Sequence, residues 1–297
     1  MRTRDLWRFV LLFVAVPGWA QASDEGAQAS NEQARDIVVE APRTGERAAL
    51  WNQVRTVTGR SVSNDPIARF QDPVCLGSLG LGRDVTGAIL DRMIEVAEES
   101  GIRTAGNPCD PNVLVLFVDH SREEMRKLAA KGHRAFAGLS HQAMRKLMAE
   151  PGPAQAWNLT EVRSRDGDPV MPGTSMGVPP TLKVGSMSRM AASIRQDIVG
   201  AVVVIDRQAV IGKSPRQIAD YAAMRTYVRT TPPLHPSAET ILSLFEGEGT
   251  APTGLTAIDR GVLRGLYAAP ANSFARTGQA KMVSVTMAER AAAEAQD

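Results

Sequence analysis

Two uninterrupted apolar runs constrain this chain more than any other feature. They are Val113-Leu114-Val115-Leu116-Phe117-Val118 and Ala201-Val202-Val203-Val204-Ile205. Neither alternates with polar residues, and each is too short for a buried helix. Both therefore read as strands covered on both faces of a sheet. Between and around them lie amphipathic segments with helical spacing. In residues 84–100, Val85, Ile89, Met93, Val96 and Ala97 recur at three and four residues, and Gly101 stands at the stop. Residues 47–58, 122–131 and 140–149 carry shorter helical patterns, and 67–70 reads as a short strand leading to Cys75. Strands alternating with helices predict an α/β (α+β) fold with a mixed sheet.

The N-terminus reads as a processing signal. Arg2, Arg4 and Arg8 precede the apolar run Phe9–Val16, and Ala20-Gln21-Ala22 is a small-x-small cleavage site. That run falls short of the ~20 residues that cross a bilayer, and no other stretch is long and apolar enough. The expectation is a signal peptide over 1–22, a polar lead over 23–35, and a mature protein in the periplasm or secreted, without a membrane span. Residues 36–42 (Asp-Ile-Val-Val-Glu-Ala-Pro) read as a short strand closed by proline. The chain's formal charge is +2, and residues 1–22 hold three Arg and one Asp, so the mature part is neutral. A neutral surface argues against a nucleic-acid partner, which needs a basic stripe.

Cys75 and Cys109, each within two residues of a proline, are the only cysteines. In an exported chain they are expected to form a structural disulfide. On the chain-entropy view, closing a loop of that size stabilises the fold by about 3–4 kcal/mol.

One domain is expected over 36–287. It contains a Pro/Gly-rich excursion at 151–180 whose strand-like stretch is Trp157–Val162, with a turn at Gly167-Asp168. A helical C-terminal subdomain spans 214–270, and an Ala/Glu-rich tail over 288–297 reads as frayed. Within that subdomain, Ser214-Pro215-Arg216-Gln217 is a capping box with proline at the first helical position. Thr256-Ala257-Ile258-Asp259 is a second box, and residues 237–245 between them read as a short helix.

Several chemical readings fail on spacing. Gly212-Lys213-Ser214 lacks the earlier glycine of a phosphate loop. Gly77-Ser78-Leu79-Gly80-Leu81-Gly82 has the wrong spacing for a dinucleotide loop; with no strand expected before it, it reads as a flexible approach to the helix. Ser121-Arg122-Glu123-Glu124 reads as a capping box beside His120 at a strand end. His120, His133, His141 and His235 lie at no metal-ligand spacing with one another.

The order from the strand at 201–206 through the capped helix at 214–228, Thr240-Ile241-Leu242-Ser243-Leu244-Phe245 and Leu255-Thr256-Ala257-Ile258-Asp259 to Leu266-Tyr267 resembles the C-terminal half of zincin-like proteins. Chain-wide, the Ile37-Val38-Val39 start, paired cysteines and Asp220-Tyr221 helix are similar to a group of secreted alphaproteobacterial proteins. The likeness is specific over about a quarter of the chain, which speaks to fold more than to activity. It implies a zincin-like sheet with the 84 and 214 helices across it.

It also implies that the 214 helix stands where zincins carry His-Glu-x-x-His. Here Asp220 and Tyr221 fall at the first His and the Glu, and Met224 at the second His. Zinc requires three N, O or S ligands and an open position, and Asp220 alone is competent. No catalytic residue, metal or cofactor is therefore expected. The expected role is binding a protein or peptide partner. The alternative is a hydrolase rebuilt around Asp220 and Tyr221 with a distant His such as His120 or His235.

Overall fold

Both apolar runs lie at the centre of one five-stranded sheet. The computed structural model describes residues 44–59, 64–106, 108–133, 136–173, 177–185, 187–232, 239–247 and 251–295, all within one compact unit (Pro42–Asp297). The expected strand at 36–42 and His235 fall outside the described residues. In chain order the elements are α1 (Thr44–Thr58), β1 (Arg69–Phe70), β2 (Leu76–Leu79), α2 (Arg83–Glu99), β3 (Val113–Val118), α3 (Ser121–Ala130) and α4 (His141–Ala149). There follow β4 (Ala154–Ser164), β5 (Ile194–Asp206), α5 (Pro215–Tyr227), a 3₁₀ turn (Ile241–Ser243), α6 (Ala257–Ala268) and α7 (Ala275–Glu294).

β2, β3 and β5 run parallel in that order, with Val113–Val118 opposite Ala201–Asp206. β4 pairs antiparallel with β5 along its whole length. β1 pairs with Asp197 and Ile198 of β5, residues that also pair with β4. A strand has two edges, so β1 lies on β3's side of β5, near its start.

Each face of the sheet carries its own core. Val113, Val115 and Phe117 join Ala201, Val203 and Ile205 beneath α1, α2, α5, α6 and α7. Leu114, Leu116, Val202, Val204 and Trp157 form the second core with Met125 of α3 and Leu147 of α4. Coverage on both faces is why these two strands lack polar alternation.

Several expectations need correction. The glycine-rich segment is not all flexible approach: its first half, residues 77–79, lies within strand β2 (Leu76–Leu79). Its end packs tightly on β3, since a Cβ at Gly80 would meet the Phe117 carbonyl oxygen at 1.9 Å. The helix expected over 237–245 is, among the described residues, the single 3₁₀ turn. The Asp259 carboxylate pins that turn by accepting from Thr240 Oγ1 (2.6 Å) and the Ile241 amide (2.8 Å). Helix α7 continues to Glu294, past the point where fraying is expected.

Both capping boxes at Ser214 and Thr256 form as read. The Cys75–Cys109 disulfide is present, tying the start of β2 to the approach to β3. At the other end of α6, the Arg69 guanidinium donates to the Leu266 and Ala269 carbonyls (2.9 and 2.6 Å), a cation on a helix C-terminus.

Asp259 carries a testable pH dependence. The side chain is fully buried, and burial pushes its carboxyl above the usual carboxylate range. Donors from Thr240, Thr256 and Ile241 offset this only in part. A carboxyl raised in the folded state contributes stability fully below its ordinary value of about 3.9 and loses it as pH rises through the folded value. Asp259→Asn should therefore lower stability near pH 4, because its amide faces donors. It should also flatten the decline towards neutral pH. Urea midpoints of both proteins across that range check this; parallel curves would refute it.

Candidate functional site

Helix α5 holds all three positions that the zincin likeness singles out. From Ile218 to Tyr227 every residue is buried, because the helix lies between the sheet, α2, the 3₁₀ turn and α6. The helix therefore has no face that reads as amphipathic, and its polar side chains must find partners inside the protein.

Asp220 finds them on two other segments. Its Oδ1 accepts from Arg92 Nε of α2 (2.8 Å), and its Oδ2 accepts from the Leu255 amide (2.8 Å). Arg92 also pairs with Glu95 (3.0 Å) and Glu99 (3.4 Å), and the exposed Arg216 lies 3.9 Å from Asp220 Oδ2, so two guanidinium groups join the buried carboxylate to the surface. The chain comes close here: a Cβ at Gly254 would stand 2.8 Å from Asp220 Oδ2.

Tyr221 packs edge-on against Phe245, with ring centroids 4.8 Å apart, and its hydroxyl accepts from Arg225 Nη1 (3.4 Å). Burial pushes the phenol above its ordinary range. Arg225, itself 2 % exposed, meets the Glu150 carboxylate at 2.5 Å. Burial opposes the Arg225 charge, but Tyr221 and Glu150 outweigh it and raise its pKa. Glu150 is raised by burial, against the pull of Arg225. Met224 is fully buried core. Asp220, Tyr221 and Met224 thus all lie in the core, where Asp220 and Tyr221 already have polar partners and Met224 is apolar packing.

Below this layer the two tyrosines of the helical end are fastened in the same manner. Tyr227 donates to the Met93 carbonyl (2.9 Å), and Tyr267 donates to the Tyr227 carbonyl (2.7 Å). Burial raises both hydroxyls. Asn158, the acceptor residue of a glycosylation pattern, donates to the Thr226 carbonyl (2.8 Å) and so ties β4 to α5.

The histidines are spread out. His120 and His133 flank α3, and a ten-residue helix separates its ends by roughly 15 Å at 1.5 Å per residue. His141 begins α4, capped by Ser140. Among the described residues no three His, Cys, Asp or Glu side chains are placed to hold a metal ion.

A second region has an open surface. A cleft of about 470 Å³ lies at the carboxyl ends of β3 and β5, lined by His120, Ser121, Arg122, Arg126, Pro153 and Asp206, among others. Ligands of open α/β sheets bind outside such strand ends. His120 is the one described non-glycine residue with left-handed backbone (φ 56°).

The capping box read at Ser121 is absent: His120 is the N-cap and makes no side-chain cap. The cap comes from the neighbouring strand instead, where Asp206 Oδ2 accepts from the Ser121 amide (3.2 Å). Ser121 Oγ donates to the Pro153 carbonyl (3.0 Å), and Glu123 and Glu124 both pair with Lys127. Arg122 donates to the Glu150 and Gly152 carbonyls (3.2 and 3.3 Å), closing one wall of the cleft.

Sequence reasoning singled out Asp220 and Tyr221 but missed Arg92, Glu150 and the capping role of Asp206. No local signal marks them, since each acts on a residue far along the chain. Compared with known proteins, the chain matches no family, no curated protein and no solved structure.

Proposed function

We propose that this chain is an exported, non-catalytic binding protein built on a zincin-like scaffold, with a protein or peptide partner. One observation carries the reading. The positions that correspond to a zincin's first His, Glu and second His are Asp220, Tyr221 and Met224, and they are 0 %, 2 % and 0 % exposed. A hydrolytic zinc needs an open coordination position for water, and none of these side chains borders one. Export is supported by the leader pattern and by the Cys75–Cys109 disulfide, which persists in oxidising compartments. No helix among the described residues is long and apolar enough to cross a membrane. The cleft at the ends of β3 and β5 is the surface best placed to receive a partner's side chain, while the α5 region is closed to substrate.

The test combines location with chemistry. Protein made with its leader should appear in the extracytoplasmic fraction with Ser23 as its first residue. The purified mature form should hold well under one zinc per chain after dialysis and cleave no peptide above background. One zinc per chain, lost with peptidase activity in Asp220→Asn but not in Met125→Leu, would favour the rebuilt hydrolase instead. Cytoplasmic retention of an uncleaved chain would remove the exported part of the proposal.

A further inference from the structure

The connection between β4 and β5 is chemically unlike the rest of the protein. Four of the twelve methionines fall within the twenty residues 171–190. Three of these are described, and all are open to solvent: Met171 is 58 % exposed, Met187 89 % and Met190 86 %. Elsewhere Met93, Met125, Met224 and Met282 are 0–1 % exposed and packed in the two cores. The connection is held at its base and middle by its own backbone. Arg165 donates to the Ser193 carbonyl (2.9 Å), and Met171 and Thr181 exchange amide bonds (2.8 and 3.1 Å). The thioethers of Met187 and Met190 therefore contribute little to packing, and their chemistry can change without disturbing the sheet.

We propose that this connection is the oxidant-reactive site of the protein, with Met187 and Met190 converted to sulfoxides by two-electron oxidants of the peroxide or hypochlorous acid class. A sulfur lone pair attacks the outer peroxide oxygen and the O–O bond breaks. The sulfur gains that oxygen and loses two electrons, and the other peroxide oxygen leaves as water after proton transfer; with hypochlorous acid the leaving group is chloride, and a proton is released. Two features make the reaction selective. Accessible thioethers oxidise while buried ones are shielded. Thiols, which compete fastest, are missing because both cysteines are joined in the disulfide.

The product is a polar, chiral sulfoxide in place of an apolar side chain. Oxidation thus changes the polarity of a connection in which Val170 and Val178 are also exposed. The modification is reversible by sulfoxide reductases, and the inference stands whether or not the binding reading does.

The experiment uses the folded full-length mature protein and limiting hydrogen peroxide, followed by peptide mass spectrometry. Met187 and Met190 should be oxidised at least about tenfold faster than Met93, Met125, Met224 and Met282, as exposure dictates. The melting temperature should be unchanged when only these two have reacted. The double variant M187L/M190L should keep that melting temperature and take up correspondingly less oxygen at the same dose. Uniform oxidation of all methionines, or core methionines reacting first, would overturn the proposal. So would undiminished oxygen uptake by the double variant.

Discussion

Asp220→Ala will destabilise the protein by about 3–5 kcal/mol, the cost of removing one partner from a buried ion pair. The substitution strips Arg92 of its shortest carboxylate contact and leaves the Leu255 amide without an acceptor. An unpaired buried N–H alone costs roughly 1–3 kcal/mol. Arg92 keeps Glu95 and Glu99, whose side chains are more than half exposed, and this places the effect towards the lower end of the range.

Asp220→Asn separates the two contributions, since its carbonyl oxygen still accepts from Leu255 while the charge is lost. Its penalty should fall between wild type and Asp220→Ala. Urea unfolding with a common slope gives both numbers. A loss under about 1 kcal/mol for Asp220→Ala would show that this carboxylate is not held for the fold. It would return Asp220 to the list of functional groups.

Gly265→Ala will cost about 3 kcal/mol, the upper end of what overpacking usually does. Helices α6 and α7 run antiparallel with their backbones in close approach. A Cβ at Gly265 would lie 2.4 Å from Met282 Cα and 2.9 Å from its amide nitrogen. One turn earlier, a Cβ at Gly261 would lie 2.5 Å from Thr286 Cα. The obstacle is main chain, which cannot swing aside as a side-chain tip can. The helices must separate and loosen Val262, Leu266, Met282 and Val283 in the core between them.

Limited proteolysis should then cut α7 before the rest of the domain opens. Gly87 in α2 supplies the contrast, because nothing lies within 4 Å of its Cβ position. Gly87→Ala should stabilise by about 0.5–1 kcal/mol, the ordinary advantage of alanine inside a helix. Equal effects at the two sites would contradict the close-approach argument.

Local chemistry is written plainly in this chain. The strands β3 and β5 announce themselves by unbroken apolar runs, and α5 and α6 by capping boxes whose bonds form as read. The cysteine pair is legible because the leader pattern predicts an oxidising compartment, and the disulfide forms. The first half of β5, Ile194–Val199, is not, because Arg195, Gln196 and Asp197 look like loop residues until β4 lies beside them. β2 is hidden for a similar reason. Leu76-Gly77-Ser78-Leu79 has no strand-forming side chain, and its place depends on pairing with β3 more than thirty residues later.

The same division runs through the candidate site. Sequence placed Asp220, Tyr221 and Met224 on one well-capped helix, where Asp220 alone is a competent zinc ligand. Spacing along a helix determines such things, since caps and periodicity act over a few residues. Only the folded chain decided that Asp220 would meet Arg92, that Arg225 would meet Glu150, and that Asp206 would cap α3. Those pairings depend on which segments the two cores bring within hydrogen-bond reach, and no short-range pattern encodes that choice.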